Sequence, residues 1–122
     1  MKKIFAALAF MACGAALARG AHPWAFEYRP FKGSYNIFGG TLSEQVPPTK
    51  RSKNIAYYVK GAAAKQMFEA MGPDLKDVPG ADGEQRIRQR AHVNCSFSPR
   101  DGYSCSFGFD LITGTSIAGT EC

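Results

Sequence analysis

The sequence predicts an α+β domain, an antiparallel sheet of about five strands with one helix packed on it. Three observations point there. Gly61 to Met71 (GAAAKQMFEAM) carries an apolar stripe at helical spacing. Asn54 to Lys60 and much of the chain after Ala91 alternate apolar and polar residues at period two, as a half-buried antiparallel sheet does. Clusters of Gly, Pro, Ser and Asp punctuate these segments.

The 122 residues suffice for one domain and not for two. Residues 1–18 read as a secretory signal peptide. Lys2 and Lys3 give a positive start, Ile4 to Ala16 is apolar, and Ala16-Leu17-Ala18 is a small-x-small cleavage site. A minor option makes Cys13 a lipidated cysteine. Cleavage after Ala18 removes two lysines from a formal charge of +5. The mature chain has no segment fit to span a membrane. Its mild basicity suits solubility rather than nucleic acid. The expected location is therefore periplasmic or secreted, where disulfides persist.

Residues 19–32 form an N-terminal arm rich in aromatics and Pro. Trp24, Phe26 and Tyr28 alternate with Ala25 and Glu27, which predicts a short extended segment packing its rings on the body. The α+β domain proper then occupies residues 33–122. Gly33 to Ser43 is the first strand, with a bulge or close approach at Gly39-Gly40. Glu44 to Lys53 is a loop stopped by Pro47-Pro48. Asn54 to Lys60 is the second strand, pairing with the first as a hairpin. In the helix, Ala64, Met67, Phe68 and Met71 make the core stripe, and Gly72-Pro73 ends it. Pro73 to Glu84 is a loop.

Ala91 to Cys122 predicts a C-terminal three-stranded meander. A turn at Ser98 to Gly102 sets Phe97 opposite Tyr103 and Cys95 opposite Cys105. A two-residue turn at Thr113-Gly114 sets Ile112 opposite Thr115 and Cys105 opposite Cys122. Cys95 and Cys122 thus compete for Cys105. The pair Cys105–Cys122 is favoured because it ties down the chain's last residue, leaving Cys95 as a free thiol. Arg86, Arg88 and Arg90 recur at period two in the run that leads into the meander. Read as one strand, they lie opposite Ile87 and Ala91 on the outer face, in line with His92. These four are the candidate anion-binding residues, since Arg suits bidentate contacts to carboxylate or phosphate.

Catalytic patterns are sparse. There is no Gly-x-Ser-x-Gly elbow. His22 lies in the arm, and His92 and Cys95 fall on opposite sides of a strand. The cysteine spacing fits no zinc site, and no cofactor is implied. Asp74, Asp77, Asp82 and Glu84 crowd one loop without the spacing of a calcium hand.

The tail YSCSFGFDLITGTSIAGTEC, with the unit IAYYVKGAAAKQMFEAMG, resembles small exported bacterial proteins of uncharacterised function. The resemblance implies a further cysteine in the loop after the helix, where Pro79 stands here, with Cys95 the partner left single. It implies no activity. The expected function is that of an exported envelope protein without catalytic activity. It would bind another macromolecule, an envelope or secreted protein, as an inhibitor- or immunity-like module. The alternatives are an anion or small-ligand binder using the arginines, and a small hydrolase whose site has no recognisable pattern. The sequence sets no oligomeric state.

Overall fold

A computed structural model describes residues 24–78 and 84–120. The expected signal peptide, Cys13, His22, Asp82 and Cys122 lie outside the described residues. The elements run β1 (Lys32–Gly40), β2 (Gln45–Val46), β3 (Asn54–Lys60), α1 (Gly61–Ala70), β4 (Arg86–Arg90), β5 (Val93–Ser98), β6 (Gly102–Asp110) and β7 (Ser116–Ile117). The strands form one antiparallel sheet in the order β2-β1-β3-β6-β5-β4, with β7 paired to β6. This is the α+β class the sequence predicts; β2 and a separate β4 add to the expected strands, and β7 is the last strand of the expected meander, two residues long. The segment expected as loop after Glu44 thus begins with β2. It turns back at Gly40, whose φ of +75° and close approach to the Glu44 carbonyl admit no side chain.

Residues directly opposed across antiparallel strands share a face. One row therefore crosses five strands: Gly33, Val59, Cys105, Cys95 and Arg88. The helix lies over this row. Its apolar stripe buries Ala64 and Phe68 against Val59 and the two cysteines, with Met67, Met71, Phe97 and Tyr103 packed around them. Phe68 meets the Tyr103 ring edge-on at 5.3 Å, and Tyr103 meets Phe97 at 4.5 Å.

Three expectations are corrected here. The first concerns the cysteines. Cys95 is bonded to Cys105, so Cys95 is not the free thiol and the favoured Cys105–Cys122 pairing does not form. The register placing Cys95 opposite Cys105 is the one the Ser98 to Gly102 turn predicts. The register of the last hairpin differs by two residues, with Gly108 opposite Ile117. The cause is Asp110. Its carboxylate accepts the Ile112 and Thr113 N–H groups at 2.8 and 3.2 Å, and its own N–H donates to the Thr115 carbonyl. Leu111 to Gly114 becomes a four-residue loop in place of a two-residue turn.

The second correction concerns the arginines. The chain does not run straight from Arg86 into the meander. It turns at Ala91-His92, so that Arg90 lies opposite Val93. Ala91 takes a φ of +48°, a left-handed conformation that its side chain disfavours. A turn between positions 90 and 93 puts both on one face, where a continuous strand would put them on opposite faces. Arg86, Arg88 and Arg90 therefore point to the helix side of the sheet rather than to its outer face.

The third concerns the arm. Trp24, Phe26 and Tyr28 are 82, 81 and 96% exposed and do not pack on the body. They touch only in sequence, with neighbouring ring centroids 6.1 Å apart.

Candidate functional site: the open half of the sheet

The ten-residue helix is too short to cover the whole front of the sheet. Beyond the cystine row the same face continues as two further rows. Tyr35, Tyr57 and Phe107 form the first; Ile37, Ile55 and Phe109 form the second. Tyr57 stacks on Phe107 at 5.2 Å, and Phe107 meets Phe109 edge-on at 6.2 Å. These rings and aliphatic chains have neighbours in the plane of the sheet and none of the helix above the far rows. Tyr35 is 68% exposed, Ile37 41% and Phe109 39%, and Leu111 at the rim is 46% exposed. A contiguous apolar patch of this kind marks an interaction surface, whereas scattered exposed apolar residues do not.

The patch reaches the sheet edge at β1. There β2 pairs only with Gly39 and Gly40. Among the described residues no strand pairs with the outer edge of β1 between Lys32 and Phe38. Residues 32–37 are exposed throughout. Pro30 and Phe31 line a hollow beside the helix start with Gly61, Ala62 and Ala63, and the aromatic arm leaves from there.

The back of the sheet is closed in a different way. Phe38 is buried there with Asn54 and Ala56. Residues 118–120 pass behind β6, Gly119 lying against the Phe107 backbone. The Ser106 and Thr120 hydroxyls pair at 2.9 Å. Farther along the back, Tyr58, Lys60, Ser96, Ser98, Asp101 and Ser104 line a shallow polar hollow.

The predicted site residues serve the helix. Arg88 donates from Nη1 to the Phe68 and Met71 carbonyls at 2.8 and 2.6 Å. Arg90 donates to the Gly72 carbonyl. The helix has no basic residue in its own last turn, so β4 supplies the cations that its C-terminal carbonyls attract. Arg88 also lies over the Phe68 ring, its guanidinium carbon 4.2 Å from the centroid. Asp74 joins this group. It accepts from Arg86 Nε at 2.7 Å and Arg86 Nη2 at 3.2 Å, and from Arg88 Nε at 2.7 Å. The hydrogen bonds from Arg86, then Arg88, hold its carboxyl pKa down to about 2. The same contact raises the pKa of Arg86. Asp74 is therefore an ion-pair partner, and no group of ligands able to hold a metal occurs among the described residues.

His92 does not join the arginines. It sits on the exposed Ala91-His92 turn, its Nδ1 3.3 Å from the Ser116 hydroxyl. Cys95 and Cys105 form the buried centre of the core as a cystine, as an oxidising compartment would leave them. Among the described residues no helix is long and apolar enough to cross a membrane.

The features of the open half lay in the sequence as the apolar parity of β1 and β3, Tyr35 and Ile37 with Ile55 and Tyr57. What the sequence could not show was how far the helix reaches. No protein-family model matches the chain, and no curated protein and no solved structure matches it.

Proposed function

We propose that this chain is a non-enzymatic binding module of the bacterial cell envelope. It would be exported by the signal peptide read in residues 1–18, and it would recognise another protein through the open half of its sheet. The observation that carries this reading is the uncovered apolar face of Tyr35, Ile37, Phe109 and Leu111 running out to the unpaired edge of β1. Main-chain pairing along such an edge supplies affinity, and the apolar rows beside it supply selectivity. The anion-binding alternative takes second place, because Arg86, Arg88 and Arg90 already hold Asp74 and the helix carbonyls. A hydrolase also gains little support: His92 and Ser116 face open solvent rather than a cleft.

The test is affinity capture from envelope extract with purified protein, beside the double variant Tyr35→Ser/Ile37→Ser. A partner retained by the parent and lost by the variant supports the reading. Equal retention by both moves the binding surface elsewhere. Charge reversal of the exposed Arg90 should leave capture unchanged, and its loss would revive the anion reading.

A further inference from the structure

We infer that the occupant of the open edge is a second copy of this chain, each copy laying its aromatic arm along the β1 edge of the other. This rests on the reading above that the open half of the sheet binds protein, and it names the protein.

The arm and the edge are complementary in what each lacks. The arm presents Trp24, Phe26 and Tyr28 at alternate positions, almost wholly exposed and off its own body. Among the described residues, the edge offers unpaired β1 backbone, and the apolar face beside it has no cover. An extended segment with apolar side chains at alternate positions is the chemistry that completes such an edge. The two features adjoin in sequence, since the arm runs directly into β1. A two-fold axis near Pro30 and Phe31 therefore sets two such stretches antiparallel, so that each arm meets the other copy's edge and both contacts form at once.

Area decides whether this is enough. A stable interface covers about 800 Å² per partner. Aromatic side chains bury about 150–250 Å² each, so three arm rings contribute about 450–750 Å² per copy. Phe31, Tyr35 and Ile37, all exposed, bring the total into the required range. The opposite edge of the sheet has no such capacity. At β4 the Leu75 N–H donates to the Ile87 carbonyl at 2.7 Å, and arginines line the strand, so a loop and charge already guard it.

The experiment is sedimentation of the purified protein across a concentration series, read together with the emission of Trp24, the only tryptophan. The expected result is a dimer whose formation shifts Trp24 emission to the blue. An arm variant (Trp24→Tyr with Phe26→Ser and Tyr28→Ser) and an edge variant (Tyr35→Lys with Ile37→Lys) should each be monomeric with the Cys95–Cys105 bridge intact. Mixed together they should regain one of the two contacts and associate more weakly than the parent, since the first keeps an intact edge and the second an intact arm. A parent that stays monomeric at every concentration overturns the second copy as occupant. If such a monomer still captures a different protein through Tyr35 and Ile37, the binding reading survives and only this inference falls. A dimer that withstands both variants overturns the arm-to-edge contact.

Discussion

Among the described residues, the front of this sheet is finished at one end and bare at the other. Under the helix, Val59, the Cys95–Cys105 cystine and Phe68 are sealed from water. Farther along the same face, Tyr35 and Ile37 of β1 carry equally apolar side chains in the open. Both halves have the same alternation, and β3 and β6 run through both. The difference is that the short helix spends its one apolar stripe on one half, and β4 reaches over to hold its C-terminus there. Apolar parity thus says which side of a strand faces a partner, and it does not say whether that partner belongs to the same chain. Substitutions should follow this division, costing stability under the helix and association in the open half.

Phe68→Ala should have the largest effect. The ring is buried at 2% exposure between Tyr103 and two guanidinium groups, so its loss leaves a cavity and strands Arg88. A cost of about 3–5 kcal/mol is expected in denaturant unfolding. A cost near that of a surface substitution would mean the helix is not the keystone of this half.

Opening the cystine should come next. Replacing Cys95 and Cys105 together by Ala removes a link between adjacent strands separated by ten residues. The short loop places the loss at the low end of about 2–4 kcal/mol. Peptide mapping of the parent checks the pairing directly: a linked Cys105–Cys122 peptide would contradict the Cys95–Cys105 bond.

Arg88→Leu should cost about 1.5–3 kcal/mol, the range for hydrogen bonds to charged groups. It abandons the Phe68 and Met71 carbonyls and one of the contacts to Asp74. Unfolding monitored through helix content checks it. A Lys at this position should recover little, because an ammonium that meets both carbonyls cannot also reach Asp74 or lie flat on Phe68.

A smaller effect is expected in acid. The carboxyl of Asp74 titrates at about 2 in the fold against an ordinary 3.8. A depressed folded value contributes stability that is complete above the unfolded pKa and is lost as pH falls from about 3.8 through about 2. Comparing the parent with Asp74→Asn isolates it from the other carboxylates. The two curves should diverge above pH 4 and converge toward pH 2, and parallel curves would remove Asp74 from the network.

Sequence reading reached the fold class, the helix with its stripe, and the register of β5 on β6, because each has a local signal. Turn formers at Ser98 to Gly102 fix that register, and Gly72-Pro73 marks where the helix stops. The face of the arginines escaped it for an equally local reason. Ala91-His92 contains neither Gly nor Asn nor Asp, so nothing announced a turn, and an unannounced turn reverses the face assigned to the residues before it relative to those after it. The last hairpin failed because the Asp110 carboxylate supplied a turn whose length Thr113-Gly114 did not announce. The bare half of the sheet was unreadable for another reason: coverage is a property of how far one element extends over another, and no residue encodes it alone.

The smallest effect on stability should come from the open half, and it sharpens the division most. Ile37→Ser replaces an apolar side chain already 41% exposed. It should change unfolding by no more than about 0.5 kcal/mol, as exposed substitutions do. Within one sheet the same loss of an aliphatic group beneath the helix, Val59→Ser, removes a residue at 4% exposure and leaves a hydroxyl among apolar neighbours. Both strands carry these side chains on the same face, so local strand preference cannot account for a difference between them. If Ile37→Ser proves as costly as Val59→Ser in the isolated monomer, something within the chain covers the far rows, and the open half is core. If it is neutral there and destabilising only where the protein is associated, the missing cover comes from outside the chain.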